Sequence, residues 1–574
     1  MKRSVIIVIM VLIALSLMSQ TKWYNPMEAG FPVVQNRGWN DVIENSFQRL
    51  PDRAKDDVRQ SVWNLSLNSA GLAIHFYTNA EKIEVRYGVS GSIAMNHMPA
   101  TGKSGVDLYA IDPDGNWRLL TDKYYFNDTI SFSYSNIIES KYHKRGYEYR
   151  LFLPLYNSVT WMEIGAPESA EFIFVPELEE KPIVVYGTSI AQGACASRPG
   201  MAWTNILSRK LDMPVTNLAY SGNGPLEKEM VDLISELDAS MIIYDCLPNM
   251  GNLTNDEVKK RTAYGISKIR EKSDVPILIT DHIGYLNDGM IEGRKEISER
   301  LNNASREVYD SMKLAGVPNI YYLLKDSIDF PADGAVDYIH PNDMGMQVYA
   351  NAYEVMVRDI LNMPIGNIST TKPVSQRREP NIYEWKDRHR QKLEFIKDKN
   401  PKKVIIGNSI THYWSGERSR ENGAQSWQKY MEPQGFFNLG YGWDRIENVL
   451  WRVYHGELDG YEAEEVVLMI GTNNIGLNSD EEIVEGLQLL LKQIEIRQPK
   501  AELKVIGVLP RRDKENRVKS LNELISDMSE SNGWNFVDVG DRLMIDGEID
   551  EYLFTDGLHP NDTGYSLIAP LIVN

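Results

Sequence analysis

The stretch Ile183-Val184-Val185-Tyr186-Gly187-Thr188-Ser189-Ile190 is a short apolar strand that runs through a glycine into a serine, and Val404-Ile405-Ile406-Gly407-Asn408-Ser409-Ile410 repeats it in the second half of the chain. Each copy later ends alike, in Asp337-Tyr338-Ile339-His340-Pro341-Asn342-Asp343 and in Asp556-Gly557-Leu558-His559-Pro560-Asn561-Asp562. Serine and histidine are 151 residues apart in the first copy and 150 in the second. A hydroxyl is a weak nucleophile at neutral pH. To attack a carbonyl it needs a base within reach, a carboxylate orienting that base, and donors where the oxyanion develops. The aspartate three residues before each histidine can hold the imidazole while the other ring nitrogen faces the serine. Alone, Gly-Thr-Ser also reads as a turn or helix cap, and Asp-x-x-His as a structural pair. Found together twice at matched spacing, they indicate two hydrolytic units in tandem.

Around these motifs the pattern changes along the chain. From Trp23 to Pro176, alternating apolar runs such as Leu72–Tyr77 and Lys82–Tyr87 are punctuated by Gly, Asn, Asp and Pro, which predicts an antiparallel β-sandwich. From Pro182 to Met363, buried-type strands at Ile183–Tyr186, Met241–Tyr244, Pro276–Thr280 and Ile320–Leu324 alternate with amphipathic segments, which predicts a parallel sheet covered by helices. Residues 364–378 are polar and Pro-punctuated, with the composition of a linker. The α/β pattern then resumes, with strands at Val404–Ile406, Glu465–Ile470 and Leu503–Leu509. A helix over 479–497 carries Ile483, Val484, Leu487, Leu490, Leu491 and Ile494 on one stripe.

At 574 residues the chain is too long for one core, and three domains fit the pattern. A net charge of −19 repels polyanions and argues against nucleic acid or anionic lipid as partners. Met1-Lys2-Arg3-Ser4 followed by the apolar run Val5–Leu17 matches a secretory signal, with cleavage expected near Ser19 or Gln20; the alternative is an uncleaved anchor. Export to a bacterial periplasm or beyond is expected, with no stable membrane insertion after cleavage. The two cysteines, Cys195 and Cys246, suit either a disulfide or a pair of buried thiols. Neither they nor the nine histidines fall in a metal-ligand spacing, so no metal and no cofactor is expected.

Both α/β units resemble the SGNH (GDSL-type) hydrolases, named for serine, glycine, asparagine and histidine blocks. The first unit matches at Ser189, Gly222 in Ala-Tyr-Ser-Gly-Asn-Gly, Asn249 in Asp-Cys-Leu-Pro-Asn-Met, and His340; the second at Ser409, Gly440 in Asn-Leu-Gly-Tyr-Gly, Asn473 in Gly-Thr-Asn-Asn, and His559. The resemblance implies two flavodoxin-like three-layer α/β/α domains with ester-hydrolysing activity. It also implies oxyanion holes built from Ser189, Gly222 and Asn249 and from Ser409, Gly440 and Asn473. Gly105-Val106-Asp107-Leu108-Tyr109 is similar to the Gly-x-Asp-Leu-Tyr motif of an amino-terminal domain preceding one SGNH subgroup; the plainer alternative makes Leu108 and Tyr109 strand core, with Asp107 in a turn. The second unit is similar to the catalytic subunits of platelet-activating-factor acetylhydrolases, through Asp444-Arg-Ile-Glu-Asn-Val-Leu-Trp-Arg, His455-Gly-Glu-Leu and Gly471-Thr-Asn-Asn. The aspartate of Gly-Asp-Ser-Leu is replaced by Thr188 and by Asn408.

The expected organisation is a signal peptide (1–20), a β-sandwich (21–178), a first hydrolase domain (179–363), a linker (364–380) and a second hydrolase domain (381–574). The expected function is an exported esterase with two sites, Ser189-His340-Asp337 and Ser409-His559-Asp556, removing acetyl groups from an acylated oligo- or polysaccharide. The alternatives are a lipid-directed acetylhydrolase or phospholipase, and one catalytic unit beside a non-catalytic glycan-binding one. Tyr413, Trp414 and Trp443 suit either a sugar-stacking platform or ordinary packing.

Overall fold

The computed structural model describes residues 20–43, 46–379, 383–415 and 421–573. The expected signal run lies outside the described residues. The chain divides into two compact units: one holds the sandwich and the first parallel sheet through Leu361; the other holds residues 362–574 with the short stretches 112–116 and 141–144.

In the first unit, two antiparallel sheets of five and six strands enclose a core that includes Ile74, Phe76, Val85, Tyr87, Leu108, Ile130, Tyr149 and Leu151. Ala73–Thr78 and Asp107–Ile111 are buried along their whole length, where a half-solvated strand would alternate. The cause is a second covered face. Tyr109 and Phe152 point out of the sandwich core, and the Arg209 guanidinium lies 4.6 Å over the Tyr109 ring and 5.8 Å over Phe152.

The first parallel sheet has the strand order Val215–Ala219, Ile183–Gly187, Met241–Asp245, Ile277–Thr280, Ile320–Leu323. Ile183–Gly187 is the first of these strands in sequence, and its chain neighbours lie on opposite sides of it. Its carboxyl end is therefore the switch point where such sheets bind ligands, and Ser189 follows directly. The second unit repeats this order with Phe436–Gly440, Lys403–Gly407, Glu465–Met469, Glu502–Ile506 and Asn535–Val537, which brings Ser409 to the equivalent point. The helix Asp480–Arg497 starts at a capping box between Ser479 and Glu482 and buries Ile483, Leu487, Leu490, Leu491 and Ile494.

The strands Val215–Ala219 and Phe436–Gly440 escape the sequence patterning because each carries a buried asparagine. Asn217 Nδ2 donates to Ala191 O at 2.7 Å, and Asn438 Nδ2 to Thr411 O at 2.7 Å, tying each strand to the turn of helix behind its serine. The segment read as a linker is not one in structure. Thr370, Thr371, Ser375, Gln376, Arg377, Arg378 and Glu379 are buried in the second unit, and Gln376 Nε2 donates to Gly442 O at 2.9 Å and Asp444 Oδ1 at 3.1 Å. A polar composition signals solvent only when the polar groups lack partners, and here they find them.

Candidate active sites

Each serine opens a short helix directly after its strand, Ser189–Gln192 and Ser409–Trp414. Thr188 and Asn408 are the helix N-caps: Thr188 Oγ1 accepts from Ile190 N at 3.4 Å, and Asn408 Oδ1 from Ile410 N at 2.9 Å. Threonine and asparagine are both competent caps, so the position before the serine caps its helix in either unit.

In the first unit Ser189 Oγ lies 3.0 Å from His340 Nε2, and His340 Nδ1 donates to Asp337 Oδ2 at 2.8 Å. The other oxygen, Asp337 Oδ1, accepts from the Ile339 and His340 amides, both at 2.8 Å. The second unit matches: Ser409 Oγ lies 2.8 Å from His559 Nε2, and His559 Nδ1 donates to Asp556 Oδ2 at 2.7 Å. Asp556 Oδ1 accepts from the Leu558 amide at 3.0 Å and the His559 amide at 2.8 Å. Partial burial alone would push both carboxyls up. The imidazole and the two amides outweigh it, and Asp337 and Asp556 both sit below the usual carboxylate range. With an ionised aspartate on Nδ1–H, Nε2 presents its lone pair to the serine hydroxyl, which is the arrangement a general base needs.

Of the residues expected to form oxyanion holes, Asn249 lies beside the Gly222 turn and Asn473 beside the corresponding turn, while Gly440 lies apart. Gly222 lies in the turn after Val215–Ala219 with φ +68°, and among the described residues its amide has no acceptor. Asn249 stands beside this turn, its Oδ1 accepting from Gly224 N at 3.0 Å. Asn473 holds the same place in the second unit, Nδ2 donating to Asp444 O at 2.9 Å. Gly440, however, is inside its strand, and its amide donates to Asn438 Oδ1 at 2.7 Å. Its counterpart by register is Ala219, whose amide donates to Asn217 Oδ1 at 3.0 Å. Three residues after each, the chain reaches Gly222 and Trp443, with φ +68° and +63°. Trp443, not Gly440, therefore occupies the position that matches Gly222, and the expectation for Gly440 is corrected. Tryptophan hides the match, because a left-handed turn position reads as glycine in sequence.

Of the neighbours of the two imidazoles, His97 carried no signal in the sequence. The ring of His97, from the sandwich, lies 5.6 Å from that of His340. On the second site Tyr413 takes a similar place, 5.1 Å from His559, with its hydroxyl donating to Glu379 Oε2 at 3.0 Å. Asp107 is not in a turn. It opens the strand Asp107–Ile111, and its Oδ2 accepts from Arg198 Nη1 at 2.7 Å and Gly200 N at 2.6 Å, while Tyr109 Oη accepts from the same Arg198 nitrogen at 2.7 Å. The Gly-x-Asp-Leu-Tyr segment thus holds the loop that follows Ser189. Further along that loop's packing, the Cys195 amide donates to Pro341 O at 2.7 Å, and Ser197 N and Oγ donate to the Asp343 carboxylate, linking it to the histidine peptide. Cys195 and Cys246 are buried free thiols. His97, Cys195 and His340 each bring a ligand atom within 4.8 Å of the others, but both His340 nitrogens are committed and burial pushes the Cys195 thiol up to about 12. A protonated thiol and an imidazole already engaged at both nitrogens are poor metal ligands.

Residues 180–358 and 405–567 each match a profile of the GDSL-like lipase/acylhydrolase family, and residues 21–172 match that of the N-terminus of SGNH-hydrolase-type esterases. The second unit is similar to platelet-activating factor acetylhydrolase IB subunit alpha2 of Homo sapiens, 28% identical over 191 residues, which is 32% of this chain and 80% of the relative. The subunit alpha2 of Gallus gallus is 30% identical over 142 residues, 25% of this chain and 58% of that protein. Among solved structures, a candidate GDSL-like lipase from Bacteroides ovatus ATCC 8483 superimposes with a TM-score of 0.55 and 29% identity, over 60% of this chain and 98% of its own.

Proposed function

The chain belongs to the GDSL-like lipase/acylhydrolase family, with two of its domains in tandem behind a GxDLY-type amino-terminal domain, and from that premise we propose that both domains are working serine esterases that remove acetyl groups from carbohydrate. The observation that carries the two-site reading is the pair of complete serine–imidazole–carboxylate contacts.

In each site the serine Oγ attacks the ester carbonyl carbon while the histidine Nε2 takes its proton. The carbonyl oxygen becomes an oxyanion facing the amides of Ser189 and Gly222 with Asn249, or of Ser409 and Trp443 with Asn473. The C–O bond to the alcohol then breaks, and the imidazolium returns its proton to the leaving oxygen. Water repeats the sequence on the acyl-serine, releasing the acid and restoring the hydroxyl. Asp337 and Asp556, kept ionised, stabilise the imidazolium formed midway in each half.

The acetyl group is supported by the likeness of the second unit to acetylhydrolases; a saccharide alcohol is supported by the net charge of −19, which disfavours anionic surfaces. The same likeness favours a second reading, deacetylation of a lipid. Export rests on the composition of residues 1–20; among the described residues, no helix is long and apolar enough to cross a membrane. Acetate release from acetylated oligosaccharides against short-chain acetylated phospholipid, measured for the parent, Ser189→Ala, Ser409→Ala and the double variant, tests the proposal. Full activity in the double variant would overturn it.

A further inference from the structure

Of the three aromatic residues that flank the second serine motif, two are packed away. Tyr413 is 3% exposed and bonded to Glu379; Trp414 is 0% exposed, its ring stacked on Tyr565 and its Nε1 donating to Ser426 Oγ. Trp443 is 49% exposed, and among the described residues its indole has neither a hydrogen-bond partner nor a ring partner. It sits at the left-handed position that matches Gly222 of the first unit, on a turn fixed from several sides. Arg378 Nη2 donates to Trp443 O at 3.0 Å, Asn473 Nδ2 to Asp444 O, and the Asp444 carboxylate accepts from Trp385 Nε1 at 2.8 Å and Arg452 Nε at 2.9 Å. A bulky residue with φ +63° is uncommon, and such positions concentrate at binding and catalytic sites. The first site differs here: at Gly222 an added Cβ would meet nothing within 4 Å, so open space stands where the second site carries an indole.

We propose that Trp443 selects the alcohol at the second site, its indole face receiving the C–H face of a pyranose ring whose ester carbonyl lies against the Trp443 amide. This rests on the second site being an esterase. One flat, rigid, half-exposed ring suits a sugar face. A quaternary ammonium is better held by a cage of several aromatics, and Tyr413 and Trp414 are buried instead of completing one. The two sites would then accept different esters, the first limited by open space and His97, the second by stacking.

The test uses the full chain carrying Ser189→Ala, so that only the second site reports, with acetylated cellobiose, ethyl thioacetate and acetylcholine as substrates. Trp443→Gly, which keeps the left-handed turn and its amide, is expected to lower the ratio of kcat/KM for acetylated cellobiose to that for ethyl thioacetate about 3- to 10-fold, through KM, with Trp443→Phe restoring most of it. An unchanged ratio overturns the proposal while leaving the esterase intact. A larger fall for acetylcholine than for the saccharide overturns it in favour of a cation site. If the Ser189→Ala parent cleaves none of the three esters, the second site is not an esterase of this kind, and the proposal falls with that premise.

Discussion

Asp107 and Arg198 are joined across two domains of the first unit, the sandwich carboxylate accepting from the guanidinium Nη1 at 2.7 Å and from the Gly200 amide at 2.6 Å. Arg198 closes the loop that begins at Ser189, so the amino-terminal domain acts on the first site by holding the peptide behind its nucleophile. Asp107 is buried, and removing its charge leaves the partly buried Arg198 and the Gly200 amide with a weaker acceptor. Asp107→Asn, measured in a Ser409→Ala background, is expected to lose most first-site activity. In a Ser189→Ala background the same substitution is expected to leave the second site unaffected, because the Asp107 partners Arg198 and Gly200 belong to the first unit. Equal losses in both backgrounds would show general misfolding instead.

The proposal of two working sites rests on two formed serine–histidine contacts and is read directly by an active-serine label. A fluorophosphonate probe is expected to label Ser189 and Ser409 in the parent, one serine in each single alanine variant, and none in the double variant, read by intact-mass spectrometry. A single label in the parent would identify the silent domain.

The aspartates 337 and 556 lie below the usual carboxylate range because their histidines and backbone amides favour the ionised form over the opposing effect of burial. Each therefore adds stability above the ordinary aspartate pKa, and that stability is lost as pH falls through the lowered value. Asp337→Asn and Asp556→Asn are expected to cut turnover at their own sites by on the order of 10³- to 10⁴-fold. They are expected to narrow the stability gap to the parent as pH drops below about 4. An asparagine variant with undiminished turnover would remove the carboxylate from the mechanism.

Asp245 ends a strand of the first sheet fully buried, with Oδ2 lacking any partner among the described residues. Burial pushes its carboxyl up to about 7 from 3.8. The folded chain thus holds a proton that the unfolded chain releases between about pH 4 and 7, so stability contributed by this group is present at low pH and lost as pH rises through 7. Asp245→Asn is expected to match the parent near pH 4 and to exceed it at pH 8 by up to roughly 4 kcal/mol, from denaturant titrations of the first unit. A gap that stays constant across that range would contradict the assignment.

The residues that one short peptide can juxtapose were determined by sequence alone. Asp-x-x-His brings carboxylate and imidazole together within a loop, and Gly-Thr-Ser or Gly-Asn-Ser sets the hydroxyl on a helix start. Continuous apolar runs mark the strands that helices cover on both faces. Composition was less reliable where polar groups found buried partners, as with Asn217, Asn438 and the 364–379 segment.

Only the tertiary structure decided that Trp443 and not Gly440 matches Gly222, that His97 from the sandwich borders the first imidazole, and that Asp107 secures the serine loop. The physical reason is distance along the chain. A turn's handedness and the neighbour of a side chain hundreds of residues away follow from which strands pair and which faces are covered, and those are fixed by the free energy of the whole packed unit rather than by any local stretch.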